Sequence, residues 1–201
     1  MDMYNLFPKP VGKFDLGRKF TKKELSFLVE QAQRPNEGNT SSSDNFVLEH
    51  KEMKKLKEFL QKCVDDFLKL VVNPDMSKVG LRITQSWTNN TTNLQYHHKH
   101  AHPNSYLSGV LYVQTTSNDK ITFHDEPYEQ LRINPVEWNV YNSSSWWLPA
   151  EAGSLFLFKS SLTHSTPPRT DDQTRISLAF NTFPYGDLGH NMELTGLHLK
   201  A

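Results

Sequence analysis

From His50 to Val71 the apolar residues recur at helical spacing. Met53, Leu56, Leu60, Cys63, Val64 and Phe67 form one stripe, Lys and Glu fill the opposite face, and Pro74 closes the segment. A shorter helix is predicted after Thr21. Thr21 and Glu24 fit a capping box, Leu25, Leu28 and Val29 supply an apolar edge through about Gln33, and Pro35 stops it. The first 20 residues, with Pro8, Pro10, Gly12 and Gly17, read as a loop with at most one short strand. The segment 36–45 (NEGNTSSSDN) reads as a polar surface loop.

After residue 78 the period changes from helical to extended. Strands are predicted at 79–87, 106–114, 120–124, 154–158 and 174–183, with weaker ones at 136–141 and 146–148. Helices followed by a run of strands make an α+β chain. A double-sheet jelly roll buries one face of each strand, with the helix at 50–71 packed on an outer sheet face. The expected organisation is one domain over 1–201. Its helical N-terminal part covers 1–78, and its jelly-roll core covers 79–190.

Composition narrows the function classes. Lys plus Arg and Asp plus Glu are 22 each, so the formal net charge is zero. That argues against a nucleic-acid or anionic-membrane binder. No stretch approaches a membrane span and no leader pattern opens the chain, so a cytoplasmic location is expected. The single cysteine, Cys63, fits a reducing compartment, excludes a disulfide framework, and reads as a buried thiol on the helix stripe. Oligomeric state is unread, and a homodimer is admitted.

Histidine is the compositional oddity. Of nine, four fall within 97–102. His98, His100 and His102 alternate, so on an extended chain they share a face, while His97 points the other way. Neutral imidazoles suit Fe, Zn, Cu and Ni. A polar strand edge would explain such a cluster equally well. His164 changes the balance, because it follows the apolar strand at 154–158 and a jelly roll can return it to the first pair as a third facial ligand. Arg175 and Ser177 share a strand face. They offer a carboxylate-binding fork with a hydroxyl beside it, or else a surface ion pair with Asp171 or Asp172. Arg169 reads as a solvated charge near the loop tip.

The segments HAHPNSYLSGVLYV (100–113), ITFHDEP (121–127), PAEAGSLFLFKSSLTHS (149–165) and RISLAFNTF (175–183) carry a resemblance. Together they resemble the iron(II)- and 2-oxoglutarate-dependent oxygenases, in particular a small bacterial and phage group. The resemblance implies a double-stranded β-helix core. It implies that His100 and His164 bind Fe(II), and that Arg175, helped by Ser177, binds the distal carboxylate of 2-oxoglutarate. Tyr112 would contact that cosubstrate. The family's usual motif is H-x-D or H-x-E, whereas here the third position is His102. Either three histidines bind the metal or a carboxylate comes from elsewhere, with Asp125 the best candidate. The implied activity is a dioxygenase consuming 2-oxoglutarate and O2 to hydroxylate an unidentified substrate. Two alternatives stand beside it: a cupin-like three-histidine metalloenzyme not using 2-oxoglutarate, and a non-catalytic jelly-roll binding module.

Overall fold

The computed structural model describes residues 1–2, 4–116, 118–125, 131 and 133–200. The elements run β1 (Val11–Asp15), α1 (Lys22–Val29), β2 (Gln33–Pro35), β3 (Thr40–Ser42), α2 (Lys54–Val71), β4 (Val79–Thr91), β5 (His97–His100) and β6 (Leu107–Gln114). They continue through β7 (Lys120–His124), β8 (Ser145–Pro149), β9 (Ser154–Lys159), β10 (Thr163–Thr166), β11 (Arg175–Leu188) and β12 (Leu197–Leu199). The larger sheet has the order β1-β9-β6-β11-β4-β3-β2, with β12 paired to β11, and the smaller has the order β5-β10-β7-β8. Every pairing between named strands is antiparallel. The two sheets form the double-stranded β-helix that the strand pattern predicts.

Strand alternation divides the larger sheet into two chemistries. On β6, β9 and β11 one set of residues is Leu111, Val113, Leu155, Leu157, Ile176, Leu178 and Phe180. These pack with Leu56, Leu60, Cys63, Val64 and Phe67 of α2 in the main core. The intervening set, including Tyr112, Phe156 and Phe158, joins Ile121 and Phe123 of the smaller sheet in a second cluster between the sheets. Arg175, Ser177 and Ala179 therefore project between the sheets as well, because they alternate with Ile176, Leu178 and Phe180. Each fully buried Leu or Phe of these clusters contributes about 1.5–3 kcal/mol relative to exposure. Gly109 is needed where it stands: a Cβ there would collide with Cζ of Phe180, whose ring covers the glycine.

The N-terminal part departs from the helical reading. β1 pairs with β9, and β2 and β3 form a hairpin that extends the larger sheet beyond β4. These strands are short and polar, with most of their residues half-buried or exposed, so they carry little hydrophobic signal. The capping box is present: Glu24 N–H donates to Thr21 Oγ1 at 3.2 Å and Thr21 N–H to a Glu24 carboxylate oxygen at 2.8 Å. The α1 helix ends at Val29, four residues short of the predicted Gln33, which opens β2 instead. No strand forms at 136–141 among the described residues, whereas 146–148 lies within β8. Among the described residues no helix is long and apolar enough to cross a membrane.

Candidate metal centre

His100 and His164 face each other across the β5–β10 ladder. His102 follows β5, and its backbone N–H is anchored to the Ser160 carbonyl at 2.9 Å. One ring nitrogen of each of the three lies within 4.8 Å of the others. The ring centroids are 4.4 Å apart for His100–His164, 4.9 Å for His100–His102 and 5.1 Å for His102–His164.

Each ring is oriented by an acceptor at its far nitrogen. His100 Nδ1–H donates to the His98 carbonyl at 2.8 Å, His164 Nδ1–H to the Leu162 carbonyl at 3.0 Å, and His102 Nδ1–H to Asn181 Oδ1 at 2.8 Å. A carbonyl oxygen only accepts, so all three protons sit on Nδ1 and the lone pairs on Nε2. Burial holds the rings neutral. His164, desolvated and beside two other imidazoles, is pushed down to about 3, and His102, chiefly by desolvation, to about 4. His100 is also lowered, first by desolvation.

His100 Nε2 and His102 Nε2 lie 3.0 Å apart. Two neutral Nε2 lone pairs at that distance repel each other unless a cation sits between them. The donor set therefore fits a divalent metal bound by three imidazoles. Trp87 stacks on His102 with ring centroids 5.7 Å apart, and Phe158 meets His164 in an edge arrangement with centroids 4.7 Å apart, so both rings are fixed by packing as well.

The same three histidines line part of a small cavity of about 30 Å³ between the sheets. Its other walls include Tyr112, Thr166, Arg175 and Ser177. Ser177 lies beside Tyr112 in the β6–β11 register. Arg175 is 3% exposed, donates to Thr166 Oγ1 at 2.7 Å and approaches Asp119 Oδ1 at 3.3 Å. Arg169 Nη1 donates to both carboxylate oxygens of Asp119, at 2.7 and 2.8 Å. Two buried guanidiniums thus share one buried carboxylate, while Asp171, the second partner of Arg169, is 37% exposed. Tyr112 is wholly buried, and desolvation pushes its hydroxyl up to about 12, so it is a donor at neutral pH.

Several sequence-based expectations need correction. His97 does not point away. Between Thr166 and His164 one residue on β10 faces two on β5, because His97 pairs with Thr166 and His100 with His164. This bulge breaks the alternation and turns His97 to the same side as His100, where their rings stack at 4.6 Å. Arg169 is not solvated: it is 4% exposed. Arg175 pairs with Asp119 rather than Asp171 or Asp172.

Asp125 is not brought to the three histidines. It is exposed, lines a separate groove and pairs with Lys9 at 2.7 Å. Glu126 and Pro127 of the ITFHDEP segment lie outside the described residues. The loop 36–45 does approach the centre. Asn36, Ser41 and Asn45 line an open depression of about 670 Å³ onto which His97, His98, His100 and His102 also face. Trp146 and Trp147 of β8 are exposed, and neither lines that depression.

Sequence reasoning missed Asp119, Thr166 and Asn181. Asn181 lies on β11 with Arg175, inside a segment already singled out, so strand continuity was its available signal. Asp119 has none, because its partners lie 50 and 56 residues away.

Residues 85–181, just under half of the chain, match the family described as "Putative 2OG-Fe(II) oxygenase". The matched segment is similar to the 2OG-Fe(II) oxygenase family. It contains the three converging histidines as well as Arg175 and Ser177. No curated protein matches the sequence. Solved structures of this family share the fold. One is a 2OG-Fe(II) oxygenase family oxidoreductase from Burkholderia pseudomallei, with TM-score 0.55 and 12% identity over 81% of this chain and 79% of that one. A second is HygX from Streptomyces hygroscopicus, solved with nickel, 2-oxoglutarate and hygromycin B bound. It has TM-score 0.56 and 11% identity over 87% and 82% of the two chains. A third is SnoK, a non-heme alpha-ketoglutarate-dependent carbocyclase from nogalamycin biosynthesis, with TM-score 0.59 and 11% identity over 87% and 79%.

Proposed function

We propose that the chain is an Fe(II)- and 2-oxoglutarate-dependent dioxygenase that hydroxylates a substrate entering through the open depression. The observation that carries this reading is one cavity with two chemically distinct ends. At one end three Nε2 lone pairs converge. At the other is the buried Arg175 guanidinium with the hydroxyls of Tyr112, Thr166 and Ser177.

His100, His102 and His164 would hold iron, and their Nδ1 hydrogen bonds would keep the lone pairs aimed at it. When bound, iron with the keto acid supplies oxidative decarboxylation to succinate and CO2, with one oxygen atom delivered to a substrate C–H bond. The protein residues do the binding and positioning. Arg175, Thr166, Ser177 and Tyr112 would receive the distal carboxylate. Asp171 offsets Arg169, and Arg175 has only a share of Asp119, at 3.3 Å, so an anionic guest would compete with Asp119 for Arg175. The cavity as it stands holds water-sized guests and not a ten-heavy-atom keto acid. His97, which lines both the cavity and the outer depression, is placed to move aside on binding. Phe158 and Phe123 exclude water from the rear of the metal ligands.

A cupin-like enzyme without 2-oxoglutarate is favoured by one observation, the Asp119 carboxylate already on Arg175. Anaerobic titration of 2-oxoglutarate into the Fe(II)-loaded protein separates the two readings. The oxygenase reading expects a saturable visible charge-transfer absorption that is lost or strongly weakened in Arg175→Ala. Iron binding with no absorption change in the wild type would overturn it.

A further inference from the structure

Five imidazoles, His97, His98, His100, His102 and His164, line the cavity or the depression outside it, and the proposed iron site uses three. We propose that His97, His98 and His100 form a second metal position, suited to a nitrogen-preferring divalent ion such as Zn²⁺, which takes His100 away from the first. One ring nitrogen of each lies within 4.8 Å of the others. The ring centroids are 4.6 Å apart for His97–His100 and for His98–His100, and 5.3 Å for His97–His98. Imidazole nitrogens bound tetrahedrally to zinc are about 3.3 Å apart, from Zn–N bonds of roughly 2.0–2.1 Å. Small ring rotations at half-buried positions close the difference.

The β5 bulge is what makes this position. On a regular strand His97 and His98 would face opposite ways. The extra residue opposite β10 puts His97 and His100 on one side, with His98 at the bulge between them. All three line the open depression, whereas His164 does not. An ion arriving from solvent therefore meets the outer set first and the inner set afterwards.

The two positions exclude each other. Neutral His100 has its proton on Nδ1, held by the His98 carbonyl at 2.8 Å, and so has one lone pair to give. An ion on the outer set leaves the inner set with two ligands. Neither set contains a carboxylate, and all-imidazole sets bind Zn²⁺ and Cu²⁺ more tightly than Fe²⁺. The outer position is therefore a place where zinc binds and disables the iron centre.

Equilibrium dialysis against Zn²⁺, with bound metal counted by mass spectrometry, tests this. Wild type is expected to hold one equivalent. The variant His102→Ala/His164→Ala should still hold one, and adding His98→Ala to it should abolish binding. Two equivalents on the wild type would overturn the exclusion. No binding to a folded His102→Ala/His164→Ala variant would overturn the site itself.

If circular dichroism shows that double variant to be unfolded, His102→Gln serves in its place. Zn²⁺ should then slow carbethoxylation of His98, because a metal-bound ring nitrogen has no lone pair to acylate, and an unprotected His98 would overturn the proposal. None of these measurements uses 2-oxoglutarate or turnover. Their failure and the failure of the oxygenase reading are therefore separate results.

Discussion

Asn181→Ala isolates the device that aims His102. Asn181 Oδ1 accepts from His102 Nδ1–H at 2.8 Å and from Ser108 Oγ at 2.9 Å. Removing the amide frees His102 to take the other tautomer, in which Nε2 carries the proton and has no lone pair for a metal. Outer partners of metal-binding histidines are worth roughly 10- to 100-fold in affinity, which is about 1.4–2.7 kcal/mol. Ser108 keeps a second partner, Ser160 Oγ at 2.8 Å, so the structural cost falls mainly on His102. The assay is anaerobic Fe(II) titration of wild type, Asn181→Ala and Asn181→Asp, with the His102 tautomer read from ring ¹⁵N shifts. Asn181→Asp keeps the acceptor and strengthens it, so its affinity should match or exceed wild type. Asn181→Ala should lose at least tenfold with a mixed tautomer. A folded Asn181→Ala protein that binds iron within about twofold of wild type (roughly 0.4 kcal/mol) would refute the reasoning.

Three further outcomes follow from the same structure. Asp119→Asn leaves Arg169 and Arg175 buried without their shared carboxylate. It should cost about 3–5 kcal/mol in denaturant unfolding, and 2-oxoglutarate should raise its melting temperature more than it raises that of wild type. The apo protein should lose stability as pH falls below about 6.5, because the unfolded chain takes up protons that buried His164 refuses until about pH 3. The slope should approach 1.4 kcal/mol per pH unit for that group, and a flat melting temperature from pH 6.5 to 4.5 would contradict it. Gly109→Ala drives a Cβ into the Phe180 ring and should cost about 1–3 kcal/mol by chemical denaturation.

The parts of the fold that were legible in the sequence are those where burial enforces a period. The α2 stripe and the alternating β9 and β11 segments each bury one face, so their apolar residues report their geometry directly. The same alternation placed Arg175 and Ser177 between the sheets. The β2 and β3 strands were not legible, and β1 only as the one short strand admitted in the first 20 residues, because short, partly exposed strands have no apolar face to repeat. His97 was misread because a bulge shifts strand parity without changing composition. Arg169 looked solvated because nothing local announces Asp119, its partner from 50 residues away. The three histidines that converge were legible as a set. The tautomers that make them a donor set depend on backbone and amide acceptors that only the folded chain assembles.

X-ray absorption of the anaerobic Fe(II) protein, with and without 2-oxoglutarate, tests the three-imidazole centre most directly. The account predicts multiple scattering from three imidazoles in both states, falling to two in His102→Ala. A centre with two imidazoles and a protein carboxylate in the wild type, or one unaltered by His102→Ala, would contradict it.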